Sequence, residues 1–108
     1  HHKLDNLTVI IDNNKISMLD YCKNIKDLGS LDDKFEGFNW NTKTVDGHDV
    51  EQLYSAITNF EKHDNNQPNV LIAHTIKGRG VPQLEKDVLC HIKSLKENEV
   101  DDILRELK

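Results

Sequence analysis

The stretch Val70-Leu71-Ile72-Ala73-His74-Thr75-Ile76 decides the fold. It is too continuously apolar to leave one face wet, so it predicts a strand covered on both sides, as in a parallel sheet. Upstream, a polar loop over 62–69 separates it from Val50, Leu53, Ile57 and Phe60, whose spacing marks one face of an amphipathic helix. Asp46-Gly47-His48-Asp49 makes the turn into that helix, and Asp49 with Gln52 three residues on predicts a capping box. Before the turn lies a strand over 40–45. Before that, Leu31, Phe35 and Phe38 predict a short helix closed by Gly37 or Asn39. Residues 7–11 (LTVII) read as a further buried strand, followed by a long loop over 15–30 with one helical turn. Downstream, Lys77-Gly78-Arg79-Gly80-Val81-Pro82 breaks the structure. Ser94 and Glu97 predict the cap of a terminal helix whose inward face is Val100, Ile103, Leu104 and Leu107. Strands alternating with helices predict an α/β fold, a parallel sheet with flanking helices.

A chain of 108 residues has room for one modest domain. With 36% apolar and 31% charged residues, five Gly and two Pro, the composition is that of a globular protein, against collagen-like, linker-like or disulfide-scaffold classes. The 14 basic and 19 acidic residues give a net charge of −5, so no basic field favours nucleic acid or an anionic membrane. No apolar run approaches the length of a membrane span. Cys22 and Cys90, in no CxxC arrangement, predict a reduced, cytoplasmic chain.

Ligands of open parallel sheets gather beyond the carboxyl ends of the strands, which singles out residues 12–16, 46–49 and 75–80. Asp12, Asn13 and Asn14 offer hard oxygen donors suited to Mg²⁺ or Ca²⁺ rather than zinc, although a plain turn after a strand also accounts for them. Gly78-Arg79-Gly80 could let backbone approach a phosphate, yet neither GxGxxG nor a P-loop pattern is present, and a flexible loop explains it equally. The six histidines and two cysteines lack short zinc-ligand spacing. His91 is of a type suited to acid–base work, although an isolated histidine is more often a surface or packing residue, and Cys22 has no activating context.

Taken in series, HHKLDNL, a strand running into DNNK-I, DKFEGFNW, VDGHDVEQL and VLIAHTIKGRGVP resemble the thiamine-diphosphate-binding domain of transketolases, and most closely the separate N-terminal subunits of split transketolases. The resemblance runs from His1 to Leu95. It implies that residues 1–108 are a partial thiamine-diphosphate-binding fold whose upstream part is missing. It makes Asn14 the side-chain ligand, and Ile16 the backbone-carbonyl ligand, of a Mg²⁺ (or Ca²⁺) ion bridging to the cofactor diphosphate. Met18 falls against the thiazolium ring, and His91 becomes a catalytic residue near the diphosphate and the substrate. Asp46-Gly47-His48-Asp49 keeps its reading as a turn and cap, in preference to a catalytic role. The family's second metal ligand comes from a Gly-Asp-Gly triplet that this sequence lacks ahead of Asn14; its Met-Glu-Asn stretch reads Leu84-Glu85-Lys86 here, and the Gly after the histidine is Ile92.

The implied reaction is transfer of a two-carbon ketol unit from a ketose phosphate to an aldose phosphate, as in pentose phosphate metabolism. The activating glutamate comes from a partner pyrimidine-binding domain or subunit, so an oligomer is expected and the chain alone is expected to be inactive. Two other readings share parts of this pattern. One is a non-catalytic α/β remnant or interaction module, and the other a different thiamine-diphosphate enzyme such as a relative of deoxyxylulose phosphate synthase.

Overall fold

In chain order, the computed structural model, which describes residues 2–62 and 66–106, forms β1 (Thr8–Asn13), β2 (Ile16–Ser17), β3 (Asp20–Tyr21), α1 (Cys22–Ile25) and α2 (Leu31–Gly37). There follow β4 (Asn41–Asp46), α3 (Val50–Lys62), β5 (Asn69–His74), α4 (Pro82–Glu85) and α5 (Glu97–Glu106). These elements divide between two units. One runs to Asn14 and resumes over Leu28–Thr75; the other takes Lys15–Asp27 and the chain from Ile76 onward.

The first unit is built on β5. Its Val70, Leu71, Ile72 and Ala73 are all buried, because β5 lies between β1 and β4 in a three-stranded, fully parallel sheet. The expected parallel sheet with flanking helices is therefore present, with the strand ending at His74 rather than Ile76. Alternation along each strand sends Leu71, Ala73 and Val45 to one face, where they meet Ala56 and Phe60 of α3, with Leu53 packed alongside. Thr44 and Ile72 share the opposite face, and the Thr44 hydroxyl bonds Asp32 of α2 there. At the other end of the sheet Asn69 is buried but fully engaged. Its backbone N–H donates to the Leu7 carbonyl (2.8 Å), its Oδ1 accepts from Asn41 Nδ2 (2.8 Å), and its Nδ2 donates to the Asp5 carbonyl (3.1 Å). One side chain thus ties together the starts of three strands, which satisfies a buried amide that would otherwise be destabilising.

Three expectations about burial in this unit shift. Residues 7–11 do not form a buried strand: β1 has β5 as its neighbour on one side, α3 covers β4 and β5, and Ile10 is left 58% exposed. On α3 the buried face centres on Leu53, Ala56 and Phe60, while Val50 is 76% exposed and Ile57 lies at the margin. At about 100° per residue Ile57 is roughly 60° round the helix from Phe60, on the flank rather than the centre of that face. Phe38 is 81% exposed because α2 stops one residue earlier, and Asn39 turns the chain with φ 64°. Phe35 instead finds Trp40, edge to face at 5.4 Å between ring centroids.

The second unit consists of short pieces. The expected long loop after Asn14 contains an antiparallel hairpin, β2 with β3, leading into the single turn α1. The helix α5 begins at Glu97, so Ser94 lies too early to cap it; the Lys96 N–H donates to Glu99 Oε2 (2.8 Å), a reach-back of the same kind two residues later. Ile103 is buried, Val100 and Leu104 are more exposed, and Leu107 lies outside the described residues. Among the described residues no helix is long and apolar enough to cross a membrane.

Candidate functional site

The parallel register brings the strand ends level, with Asn13 of β1 and Asp46 of β4 both opposite His74 of β5. A polar rim therefore forms at the carboxyl edge of the sheet, where such sheets receive ligands. Asp12 accepts a hydrogen bond from the Thr75 hydroxyl and, at 3.4 Å, one from Asn14 Nδ2. With its nitrogen turned toward Asp12, the Asn14 amide directs its carbonyl oxygen away from that carboxylate.

The turn from β4 to α3 closes over the end of β5. The Gly47 N–H donates to the His74 carbonyl at 2.7 Å, and a Cβ on Gly47 would lie 2.5 Å from Thr75 Cγ2 and 3.0 Å from that carbonyl oxygen. Only glycine fits there. Asp46 Oδ1 accepts the His48 N–H at 2.9 Å, and Asp49 caps the helix by accepting from the N–H groups of Glu51 and Gln52, both at 3.0 Å. The Gln52 side chain returns to Asp49 Oδ2 through Nε2 (2.8 Å) and accepts the Asp46 N–H (3.3 Å) through Oε1. The Gln52 backbone and side-chain bonds hold the Asp49 carboxyl below its usual range. Asp46-Gly47-His48-Asp49 is a turn and cap, as its spacing indicates.

In the second unit, Ile16 pairs with Tyr21 and Ser17 with Asp20, which leaves Met18 and Leu19 as the exposed tip of the hairpin. Met18 sits at φ 55° beneath a Leu19 N–H to Ser17 carbonyl bond of 2.6 Å, a tight three-residue turn. Lys15, between Asn14 and Ile16, is also left-handed at φ 64°, and its carbonyl accepts the Cys22 N–H at 2.8 Å. Asp20 Oδ1 braces the base of the hairpin, accepting from the Tyr21 N–H (2.7 Å) and Asn24 Nδ2 (2.9 Å). Ile16 and Met18 thus share one small, locally fixed device.

The Gly78-Arg79-Gly80 turn has no amide turned toward a phosphate at Gly80, whose N–H donates to Glu85 Oε1 at 2.9 Å. Gly78, at φ 78°, would bring a Cβ within 2.8 Å of Leu84 Cβ. His91 is exposed on the turn that follows α4. Two residues of that turn, Asp87 and Lys93, are not singled out by the sequence; their ion pair at 3.1 Å spans His91, and an Asp placed two residues before a backbone N–H that it can accept is the only signal pointing to it. Cys22 and Cys90 are both free thiols. Among the described residues no three His, Cys, Asp or Glu side chains cluster as a metal site.

Comparison with known proteins is decisive about kinship. The family described as "Transketolase, thiamine diphosphate binding domain" matches residues 1–107. The chain belongs to that transketolase family. It is 37% identical over 113 residues to transketolase-like protein 2 of Bos taurus, covering 100% of this chain and 17% of that one. It is 35% identical over 107 residues to one of the subunits of the apulose-4-phosphate transketolase of Actinobacillus succinogenes, covering 99% of this chain and 38% of that one. The crystal structure of transketolase from Campylobacter jejuni superposes with a TM-score of 0.84 at 26% identity, over 98% of this chain and 16% of that chain. The chain thus spans well under half the length of these transketolases.

The chemistry of the residues fits the family's cofactor. Asn14 offers an amide oxygen oriented by its bond to Asp12, and Ile16 a backbone carbonyl one residue beyond Lys15, both hard donors suited to an ion that binds diphosphate. The exposed apolar Met18 suits an aromatic ring.

Proposed function

We propose that this chain forms part of the thiamine-diphosphate-binding domain of a transketolase that moves a two-carbon ketol unit from a ketose phosphate to an aldose phosphate. The observation that carries this reading is the family match along nearly the whole chain, 1–107, together with Asn14 standing directly after β1 at the carboxyl edge of a parallel sheet.

In this reading Asn14 Oδ1 and the Ile16 carbonyl hold Mg²⁺ or Ca²⁺ against the diphosphate. Met18 packs its side chain on the thiazolium ring. Thiamine diphosphate, when bound, supplies the carbanion chemistry of the transfer. His91 would serve the diphosphate and sugar phosphate, where an imidazole N–H could donate to a substrate oxygen and a ring nitrogen could take up or release a proton. The activating glutamate belongs to a pyrimidine-binding partner domain or subunit. The Actinobacillus relative, which is named as one subunit of its transketolase, supports a partner on a separate chain. The assembly is then an oligomer working in the cytoplasm.

The test is ketol transfer from a ketose phosphate by the complete protein with its partner, read alongside calorimetric titration of thiamine diphosphate at graded Mg²⁺. Asn14→Ala is expected to raise the Mg²⁺ needed for half-saturation about 10–100-fold, a loss typical of weakening a metal's ligand shell. Unchanged Mg²⁺ dependence would remove Asn14 from the site. A complex that binds the cofactor but transfers no ketol unit from a ketose phosphate, while condensing pyruvate with an aldehyde phosphate with release of carbon dioxide, would move the protein to the deoxyxylulose phosphate synthase class.

A further inference from the structure

The turn that displays His91 is fastened almost entirely through one residue. The Asp87 N–H donates to the Leu84 carbonyl of α4 at 3.1 Å, which fixes the start of the turn to that helix. The Asp87 carbonyl accepts the Cys90 N–H at 3.1 Å, and Asp87 Oδ1 accepts the Leu89 N–H at 2.9 Å. Asp87 Oδ2 pairs with Lys93 Nζ at 3.1 Å, both side chains being about two-thirds or more shielded at 27% and 33% exposure. Inside this loop the Ile92 N–H donates to the Leu89 carbonyl at 3.0 Å. A ring from residue 87 to residue 93 is therefore closed by a charge-assisted contact, and His91 lies within it. The Leu89 N–H, and after it Lys93, also keep the Asp87 carboxyl below its ordinary range, which favours its charged form.

We propose that Asp87 and Lys93 are positioning residues that hold the His91 imidazole in one attitude toward the substrate. The inference rests on the role given to His91 above. A histidine on an untethered surface turn samples many backbone and rotamer states, and the fraction in a productive pose sets its contribution. Closing the ring with an ion pair and an Asx-type bond removes most of those states before substrate arrives.

The experiment uses the complete protein with its partner. Asp87→Ala and Lys93→Met are each expected to lower kcat/KM roughly three- to tenfold, the range spanned by loss of one hydrogen bond or shielded ion pair. The split between kcat and KM should follow that of His91→Ala, and Lys93→Arg should restore the rate. Adding Asp87→Ala to His91→Ala should produce no further loss, since a residue acting through another has nothing left to act on. Hydrogen exchange at the Leu89 and Cys90 amides should quicken in Asp87→Ala and Lys93→Met but not in Lys93→Arg. A purely structural Asp87 would add its full loss to that of His91→Ala, and that result overturns the proposal. Unchanged kinetics in Asp87→Ala and Lys93→Met, beside an impaired His91→Ala, overturn it too while leaving the role of His91 intact. If His91→Ala itself is unimpaired, the role of His91 fails and the positioning role with it, whatever the exchange data show of the turn.

Discussion

The sheet unit and the unit of short elements are held together by different physics. In the first, Val45, Ala56 and Phe60 cover one face of β5, and the run 70–73 is buried on both. In the second, Ile103 is the one buried large apolar residue among those described. Its segments are fixed instead by local side-chain bonds: Asp20 to Tyr21 and Asn24, Glu85 to Gly80, Asp87 to Leu89 and Lys93, Glu99 to Lys96. Nonpolar burial scales with area, whereas each local bond between exposed groups contributes little and can open by itself. Ile16, Met18 and His91, three of the four residues proposed above to meet the cofactor and substrate, belong to the locally fastened unit. The sheet is made rigid by its core, and most of the residues proposed to meet a ligand are held by small clasps.

The largest effect that would break this contrast is in the core. Leu71→Ala removes a fully buried side chain between α3 and the sheet, and should destabilise the sheet unit by about 2–5 kcal/mol. Trp40 is the single tryptophan and packs on Phe35 in that unit, so its fluorescence during denaturant unfolding reports the loss. A change below about 1 kcal/mol would mean that β5 is not the core it resembles. Next is Gly47→Ala, whose Cβ has no space beside Thr75 and the His74 carbonyl. It should destabilise the unit by about 1–3 kcal/mol, as overpacking does, with loss of the Gly47 N–H bond visible as faster exchange at that amide.

Acid sharpens the contrast further. Asp49 and Asp87 both have carboxyls held below their ordinary value of 3.8 in the folded chain. Their contribution is complete above that value and is lost as pH falls through the depressed folded value, so both clasps loosen only in strong acid. Protonating Asp49 weakens one helix cap, and Asp49→Ala at neutral pH should loosen the start of α3, most visibly as faster exchange at the Glu51 and Gln52 amides. Protonating Asp87 should open its whole turn. On titration from about pH 5 to about pH 2, exchange-corrected protection at Leu89 should therefore fall while that of Ile72 persists; parallel loss at both would mean that the units share one cooperative transition.

The difference between the units also explains what could be read from the sequence. Residues 70–73 announce their burial because a doubly covered strand needs apolar side chains at consecutive positions, and Asp49 announces its cap because the helix needs acceptors at a fixed offset. Long-range burial pressed a periodic pattern into that part of the chain. β2 and β3 are two residues each, too short for any period to register, so the hairpin reads as loop. Ser94 and Glu97 match a capping box in spacing, but the same chemistry is satisfied two residues later by Lys96 and Glu99, and spacing alone does not choose between them. Ile10 misleads for a further reason: β-branched composition marks a strand without telling an edge from a centre. Asn14, Ile16, Met18 and His91 carry no internal pattern that separates them from ordinary turn residues, and it is resemblance along the chain that singles them out.

The smallest effect tests the clasp nearest the proposed ion. Lys15 separates Asn14 from Ile16 with φ 64°, a region that disfavours a side chain by about 1–2 kcal/mol. Glycine removes that strain but leaves a more flexible unfolded chain, which takes back about 0.4–1 kcal/mol. Lys15→Gly should therefore stabilise the hairpin by about 0.5 kcal/mol, slowing exchange of the Cys22 N–H, which donates to the Lys15 carbonyl, by roughly twofold. Deletion of a lysine ammonium beside the proposed cation site also favours the cation, so the same variant should bind Mg²⁺ somewhat more tightly in the complete protein. If exchange at Cys22 quickens instead, the Lys15 side chain contributes contacts that outweigh its strain, and the hairpin is held by more than its backbone bonds and the Asp20 brace.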